Sequence, residues 1–414
     1  MSSPVYHSKF RNALVLSGGG SRGAYEAGII HYIRTALPKK LGLEMNFQIQ
    51  CGTSVGAINI AHMAAHANDP LTQGQDIVRL WKKLQTKDIY RRGPVTLGKF
   101  IVTSAVSALS RLIGAKGDRS HDYNLHFQGL FDTKPFFHFL LENCPWPNIT
   151  RNMQQGYLDA MIIAATNVRS GQVELFIEHN KSVIPDLNQF TRKVKMSPRH
   201  VMASAALPAL FPAVPIYGVY YNDGGLRLNT PLAPAVGIGA HQILVIGTND
   251  PETIKPEEQI SDDPIPGLGG ILAKFYHAAL EDRLQADFGQ LDRINRILEQ
   301  VEKHTSSEQF RTICQEARVT PIKTLSFFPT ENIAHYVDDA LKKSFRNLES
   351  FGILERAIVR LLDIDVERGS DLLSYFMFEP SFISQLIELG YQDAKKKHDE
   401  LCEFAENAIR KSEK

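Results

Sequence analysis

Apolar positions along this chain fall into short solid runs and helical stripes, and the first two of each alternate in a fixed order. Ala13 to Leu16 is a solid run that leads into Ser17-Gly18-Gly19-Gly20-Ser21-Arg22-Gly23. After it Ala24, Ala27, Ile30 and Ile33 recur at helical spacing. A second unit repeats the order: Phe47 to Gln50 as a strand, Gly52-Thr53-Ser54-Val55-Gly56 as a turn, and an alanine-rich helix from Ala57 to Ala67. Strand, loop and helix in succession predict parallel strands joined by helical crossovers. Further strands are expected at Met161 to Ala165, Val173 to Ile177, Val219 to Tyr221, Ile243 to Ile246 and Thr324 to Phe328. Continuous apolar runs of this kind suit an α/β sheet covered on both faces. The proline- and carboxylate-rich stretch between Asp250 and Gly270 reads as a surface loop, and from about Ile333 onward the pattern is helical and amphipathic.

Composition narrows the class of function. A chain of 414 residues can bury a large core without disulfides. A formal net charge of +1 provides no broad basic field, so nucleic acid is not an expected partner. Cys51, Cys144, Cys314 and Cys402 are scattered and form no CxxC pair, which suggests neither a zinc site nor a disulfide framework. No stretch reaches the ~18 uninterrupted apolar residues of a spanning helix, and Met1 to Arg11 has no secretory apolar run. The expected setting is cytoplasmic, with any membrane contact peripheral.

Two glycine motifs and one aspartate carry the chemistry. Gly52-Thr53-Ser54-Val55-Gly56 is a Gly-x-Ser-x-Gly sequence between a strand and a helix, the context of a nucleophile elbow. Gly52 and Gly56 give the tight turn its room, and the helix that follows points its positive end toward negative charge developing at Ser54. Taken alone, the motif also fits an N-capping serine. The Gly18-to-Gly23 loop offers the amides of Gly19, Gly20 and Ser21, with Arg22 beside them, to a tetrahedral oxyanion. The same loop fits the dinucleotide pattern through Gly18, Gly20 and Gly23. Against that alternative, a nucleotide-binding regulatory module, Glu44 precedes the second strand instead of ending it, and Ser54 is left without a role. Asp223, followed by Gly224 and Gly225 at the end of a strand, is an ordinary turn pattern taken alone. A histidine base would come from His241, His277, His304, His335 or His398. Of these His241 sits at a helix-to-strand junction, where a polar cap is the plainer role, and Ser54 comes too early in the strand order for an α/β-hydrolase.

In this order the three motifs resemble the patatin-like phospholipases, above all their bacterial branch. Ala203 to Pro208, Phe211-Pro212 and Asn229-Thr230-Pro231-Leu232 support the resemblance, which runs from about Asn12 to Ile246. Leu291 to Asn295 and Leu373-Ser374-Tyr375 are similar, less specifically, to the helical C-terminal part of larger members. The resemblance implies a three-layer α/β/α sandwich with a mostly parallel central sheet: residues 1–330 as the catalytic domain, with core motifs over 12–246, and 331–414 as a helical extension packed on it. It implies a lipid acyl hydrolase acting on phospholipids or related acyl lipids without metal or organic cofactor. Ser54 is then the nucleophile, Asp223 its general base without a histidine, and Gly18 to Gly23 with Arg22 the oxyanion hole. An aspartate near its reference pKa of about 3.9 is a weak base for a hydroxyl, so an apolar pocket is expected to raise it.

Outside these motifs, Phe100 to Ile113 predicts an amphipathic helix that either docks on a membrane as a lid or packs in the core. Phe131, Phe136, Phe137 and Phe139 predict an acyl channel or, more plainly, a packed aromatic cluster, and Lys395 to Lys397 a solvated helix face.

Overall fold

The computed structural model describes residues 10–41, 44–92, 129, 131–180, 190–208, 210–249, 284–317, 319–337, 340 and 374–412. The helix expected over Phe100 to Ile113 and the loop expected over 250–270 lie outside these residues. In chain order the framing elements are β1 (Asn12–Leu16), α1 (Gly23–Thr35), β2 (Ile49–Thr53), α2 (Val55–Ala65), α3 (Pro70–Lys83), β3 (Arg91–Arg92) and β4 (Phe131–Asp132). They continue with β5 (Ala160–Asn167), β6 (Val173–His179), β7 (Thr191–Lys193), α4 (Pro198–Ser204), β8 (Val214–Ile216), β9 (Val219–Asp223) and β10 (Gln242–Ile246). The last are α5 (Leu284–His304), β11 (Lys323–Phe327), α6 (Pro380–Lys396) and α7 (His398–Ser412).

The main sheet runs β11-β10-β1-β2-β5-β6-β7. From β11 to β5 every neighbouring pair is parallel, and each of β1, β2, β5 and β10 is buried along its whole length. That is what solid apolar runs become when helices cover both faces. One face sends Leu14, Leu16, Leu244 and Ile246 against α1, α2 and α6. The other sends Ala13, Val15, Ile243 and Val245 against Leu232, Ala235 and Leu291. The result is a three-layer, mostly parallel α/β fold.

Two local expectations shift. The strand expected over Phe47 to Gln50 runs instead from Ile49 to Thr53, because hydrogen bonding to β1 and β5 carries the chain straight through Gly52 to the turn. Directions also mix at one edge: β6 and β9 lie antiparallel to β5, and β8 to β9. His241 lies at the amino end of β10, where its Nδ1 accepts the Arg11 amide at 3.2 Å and its ring rests on Phe10. Parallel strands put Ser54 at the opposite end of the sheet. Phe131, Phe136 and Phe139 belong to the packed core, with Phe131 against Tyr90 and Phe211.

The C-terminal helices close on the same core. α6 crosses α1 with backbones in contact: a Cβ on Gly28 would meet the Ile387 carbonyl oxygen at 2.0 Å, and one on Gly390 the Tyr25 carbonyl oxygen at 2.1 Å. Buried Asp393 joins α6 to the end of β11 by accepting from Thr330 Oγ1 at 2.6 Å and Lys396 Nζ at 2.9 Å. Lys397 Nζ donates to the Ser326 carbonyl at 3.1 Å. Lys395 and Lys396 are exposed, as a solvated helix face would be, while Lys397 ties the end of α6 to β11. In α7 the Phe404 carbonyl accepts from Gln242 at 2.8 Å.

Candidate active site

Strand register alone brings the three motifs together. Leu16 pairs with Gly52, so the glycine loop leaving β1 lies beside the turn leaving β2. Thr53 pairs with Ala164, and the next residue of β5, Ala165, pairs with Asp223 of β9. Ser54 and Asp223 thus meet at the carboxyl edge of the sheet, where the loops of an open α/β sheet hold its chemistry.

Ser54 takes φ 53° and ψ −118°, a backbone conformation that L-residues rarely occupy. Holding it there costs about 1–3 kcal/mol and needs rigid surroundings. Those surroundings are specific. A Cβ on Gly56 would meet the Leu16 carbonyl oxygen at 2.5 Å, so only glycine lets the turn pack against β1. The Ser54 amide donates to Ser204 Oγ at 2.8 Å, and that hydroxyl donates to the Ala164 carbonyl at 2.6 Å. The main chain after α4 holds Asp223 as well: its amide donates to the Ala206 carbonyl at 2.8 Å and the Gly224 amide to the Ser204 carbonyl at 3.1 Å. Ala203 to Pro208, quoted above only as a supporting motif, is the brace that sets both residues.

The Asp223 side chain is 1 % exposed. Its Oδ1 accepts the Gly225 amide at 2.7 Å. Its Oδ2 makes no full hydrogen bond, although the Ser54 hydroxyl stands close enough to steady the carboxylate in part. Burial outweighs both contacts and pushes the carboxyl up to about 7, the direction expected of an apolar pocket. At neutral pH such a group divides between an acid and a base.

The glycine loop is narrower in function than its sequence suggests. The Gly18 amide is taken by the Asn229 carbonyl at 3.1 Å, the Ser21 amide by the Tyr375 carbonyl at 2.9 Å, and the Arg22 amide by the Gly19 carbonyl at 3.1 Å. The Gly23 amide turns back onto Gly20 and Ser21. Gly19 and Gly20 are the two loop amides without a partner among the described residues. The expectation that Ser21 offers its amide is thereby corrected. The Arg22 guanidinium is held by Ser374, Asn249 and Tyr375, so it braces the loop instead of adding a free charge. Thr248 completes the cradle, its hydroxyl donating to the Gly18 carbonyl at 2.7 Å and its amide to Ser17 Oγ at 3.0 Å. Nothing in the local pattern Gly247-Thr248-Asn249 marked it. Gly18 lies against both Asn229 and Ser54, since a Cβ there would meet Asn229 Oδ1 at 2.4 Å and Ser54 Cβ at 3.2 Å.

Behind the site, Trp81 Nε1 donates to Asn59 Oδ1 at 2.8 Å, and Asn59 Nδ2 to Glu26 at 2.7 Å, tying α3 and α2 to α1. Burial holds the Glu26 carboxyl well above the usual carboxylate range. Among the described residues no group of three or more His, Cys, Asp or Glu side chains is placed to hold a metal, and no helix is long and apolar enough to cross a membrane.

A family model for patatin-like phospholipases matches residues 14–236, more than half of the chain. No curated protein matches the sequence. Among solved structures the chain is similar to human GIVD cytosolic phospholipase A2 in complex with methyl gamma-linolenyl fluorophosphonate, at 10 % identity and a TM-score of 0.41 over 97 % of this chain and 60 % of that one. It is also similar to VipD from Legionella pneumophila, at 12 % identity and a TM-score of 0.29 over 95 % of this chain and 92 % of that one. The chain spans about 60 % of the length of the human structure it matches. Both likenesses are too distant to carry residue roles.

Proposed function

The chain belongs to the patatin-like phospholipase family, and on that premise we propose that it is a lipid acyl hydrolase of the phospholipase A or lysophospholipase type, working through a Ser54–Asp223 dyad. The observation that carries the reading is a buried carboxyl at about 7, one oxygen without a full partner, beside a serine in a strained strand-to-helix turn. A base poised near neutrality is what a hydroxyl nucleophile needs in the absence of histidine.

Ser54 Oγ attacks the ester carbonyl carbon while its proton passes to Asp223 Oδ2. The carbonyl oxygen becomes an oxyanion facing the amides of Gly19 and Gly20 and the positive end of α2. Collapse of the intermediate breaks the ester bond, and the leaving alcohol takes the proton back from Asp223. Water then attacks the acyl-enzyme, giving its proton to Asp223 and releasing the fatty acid with Ser54 restored. No step calls on a metal or an organic cofactor. The substrate is an acyl lipid met at a membrane surface, so the protein's contact with membranes is peripheral. The dyad and the glycine loop lie within residues 1–330, the proposed catalytic unit, and the described helices of residues 331–414 pack on it. The nucleotide reading of the glycine loop has only two unengaged amides for a diphosphate, and β2 ends without an acidic side chain for a ribose.

The test is acyl release from mixed phospholipid vesicles by the wild type, Ser54→Ala and Asp223→Asn, each checked for folding. The expected result is fatty acid from the wild type and loss in both variants. Activity retained in folded Ser54→Ala would overturn the dyad.

A further inference from the structure

The family-matched segment ends at residue 236, yet the glycine loop is completed by residues far beyond it. Ser374 and Tyr375 lie in a turn just ahead of α6. The Tyr375 carbonyl accepts the Ser21 amide at 2.9 Å, and the Ser374 carbonyl accepts the Ser21 hydroxyl. The Ser374 hydroxyl accepts from Arg22 Nε at 2.6 Å. The Tyr375 ring lies 4.1 Å from the guanidinium carbon, and its hydroxyl accepts from Asn249 Nδ2 at 2.7 Å and from Arg22 at 3.4 Å. Fit on the other side is equally close: Gly20 has φ 58°, and a Cβ there would meet the Tyr375 carbonyl oxygen at 2.1 Å. Ser21, Arg22 and Ser374 are all buried.

These contacts converge on the two residues that directly follow the Gly19 and Gly20 amides. Three glycines in a row have no stiffness of their own, and donors to an oxyanion act only when they are held in place before the charge develops. We propose that Ser374 and Tyr375 are positioning residues for the reaction: they latch the glycine loop so that the Gly19 and Gly20 amides stay aimed at the Ser54 site. The proposal rests on reading that loop as the oxyanion site. It makes the C-terminal region part of the active site, and residues 14–236 alone would lack the latch.

The Arg22 guanidinium is the element the latch grips, which accounts for a buried cation beside an oxyanion site that it does not face as a free charge. Removing a hydroxyl from the latch loosens the loop without touching Ser54 or Asp223. Outright loss of one oxyanion donor lowers kcat by roughly 10²–10³-fold. Loosening two donors should cost about tenfold, and it should fall on kcat, because the oxyanion exists only after the substrate is bound.

The experiment uses the full chain carrying Tyr375→Phe, which keeps the ring and the carbonyl, or Ser374→Ala. Apparent kcat and KM on phosphatidylcholine vesicles, the pH profile, the thermal midpoint and amide exchange of residues 19–22 are measured against the wild type. The latch predicts kcat lower by about tenfold in both variants, KM within about threefold, an unmoved pH profile and faster exchange in the loop. Unchanged kcat in folded variants overturns it, whether or not the thermal midpoint drops, since Ser374 and Tyr375 then only secure α6. If one variant fails to fold, the other decides. If the wild type releases no acyl chain, the hydrolase reading fails separately, and exchange alone judges the latch: faster exchange at residues 19–22 keeps it and unchanged exchange ends it.

Discussion

Asp223→Asn separates what the carboxyl does for chemistry from what it costs the fold. In the folded chain burial raises Asp223 from 3.8 to about 7, while in the unfolded chain it titrates near the lower value. Between those two pH values the folded state holds a proton that the unfolded state has released. Stability from this group is therefore complete below about pH 4 and is lost as pH rises through about 7. A displacement of about three units at 1.36 kcal/mol each is about 4 kcal/mol. Asparagine stays neutral throughout, and its side-chain oxygen can still accept the Gly225 amide that now reaches Oδ1 at 2.7 Å.

The expected result has two opposed halves. Near pH 4 the two proteins should unfold at similar denaturant concentrations. By pH 8 Asp223→Asn should be the more stable by up to about 4 kcal/mol, while releasing no acyl chains at any pH. Urea unfolding from pH 4 to 8.5, with acyl release measured on the same preparations, reads both. A stability difference independent of pH, or one in which the wild type gains as pH rises, would refute the buried-acid argument. Wild-type acyl release should climb through about pH 7 as Asp223 loses its proton. A limb near pH 4 would be equally damaging.

Two further outcomes follow from the geometry. Ser54→Gly should be inactive but more stable than Ser54→Ala by about 1 kcal/mol, because alanine keeps the Cβ that strains φ 53°; denaturant midpoints in the reverse order would show that the turn is not strained. Ser204→Ala removes the acceptor of the Ser54 amide and the donor to the Ala164 carbonyl. It should lose roughly 1–3 kcal/mol of stability together with much of the acyl release, as unfolding and vesicle assays on the purified variant would reveal.

What was legible in the chain follows the range of the interactions involved. Gly52 answers to a constraint within its own turn, where a Cβ would meet the Gly56 carbonyl oxygen at 2.5 Å; Gly56 and the glycines after β1 answer to Leu16, Asn229, Thr248 and Tyr375 across the fold, and only their spacing as motifs made them readable. The boundaries of β2 could not be read, because pairing to β1 and β5 carries it to Thr53 through Gly52, a residue with little strand preference of its own. Strand direction was hidden as well: a buried apolar run such as Phe176 and Ile177 in β6 reads alike in either sense. The glycine loop illustrates the deepest limit. Its sequence names six residues as an oxyanion site, but which amides remain depends on the carbonyls of Asn229 and Tyr375, the last more than 350 positions away. The local pattern supplies candidate donors, and only tertiary contacts decide which are already used.

The features that a stable fold would avoid gather at one point. Ser54 holds a strained backbone, Asp223 is a buried carboxyl with one oxygen lacking a full partner, and two adjacent glycine amides donate to nothing among the described residues. Each costs stability, and a region that served only the fold would relax them. Their needs are complementary in a specific way. A proton arriving on Asp223 satisfies the carboxyl that burial has made basic, and a negative oxygen arriving beside Gly19 and Gly20 satisfies the unpaired amides. Attack by Ser54 on an ester delivers both at once, in the transition state and in neither ground state. Local destabilisation of the resting enzyme is thus differential binding of that transition state, and the proposed dyad accounts for all three features with one reaction.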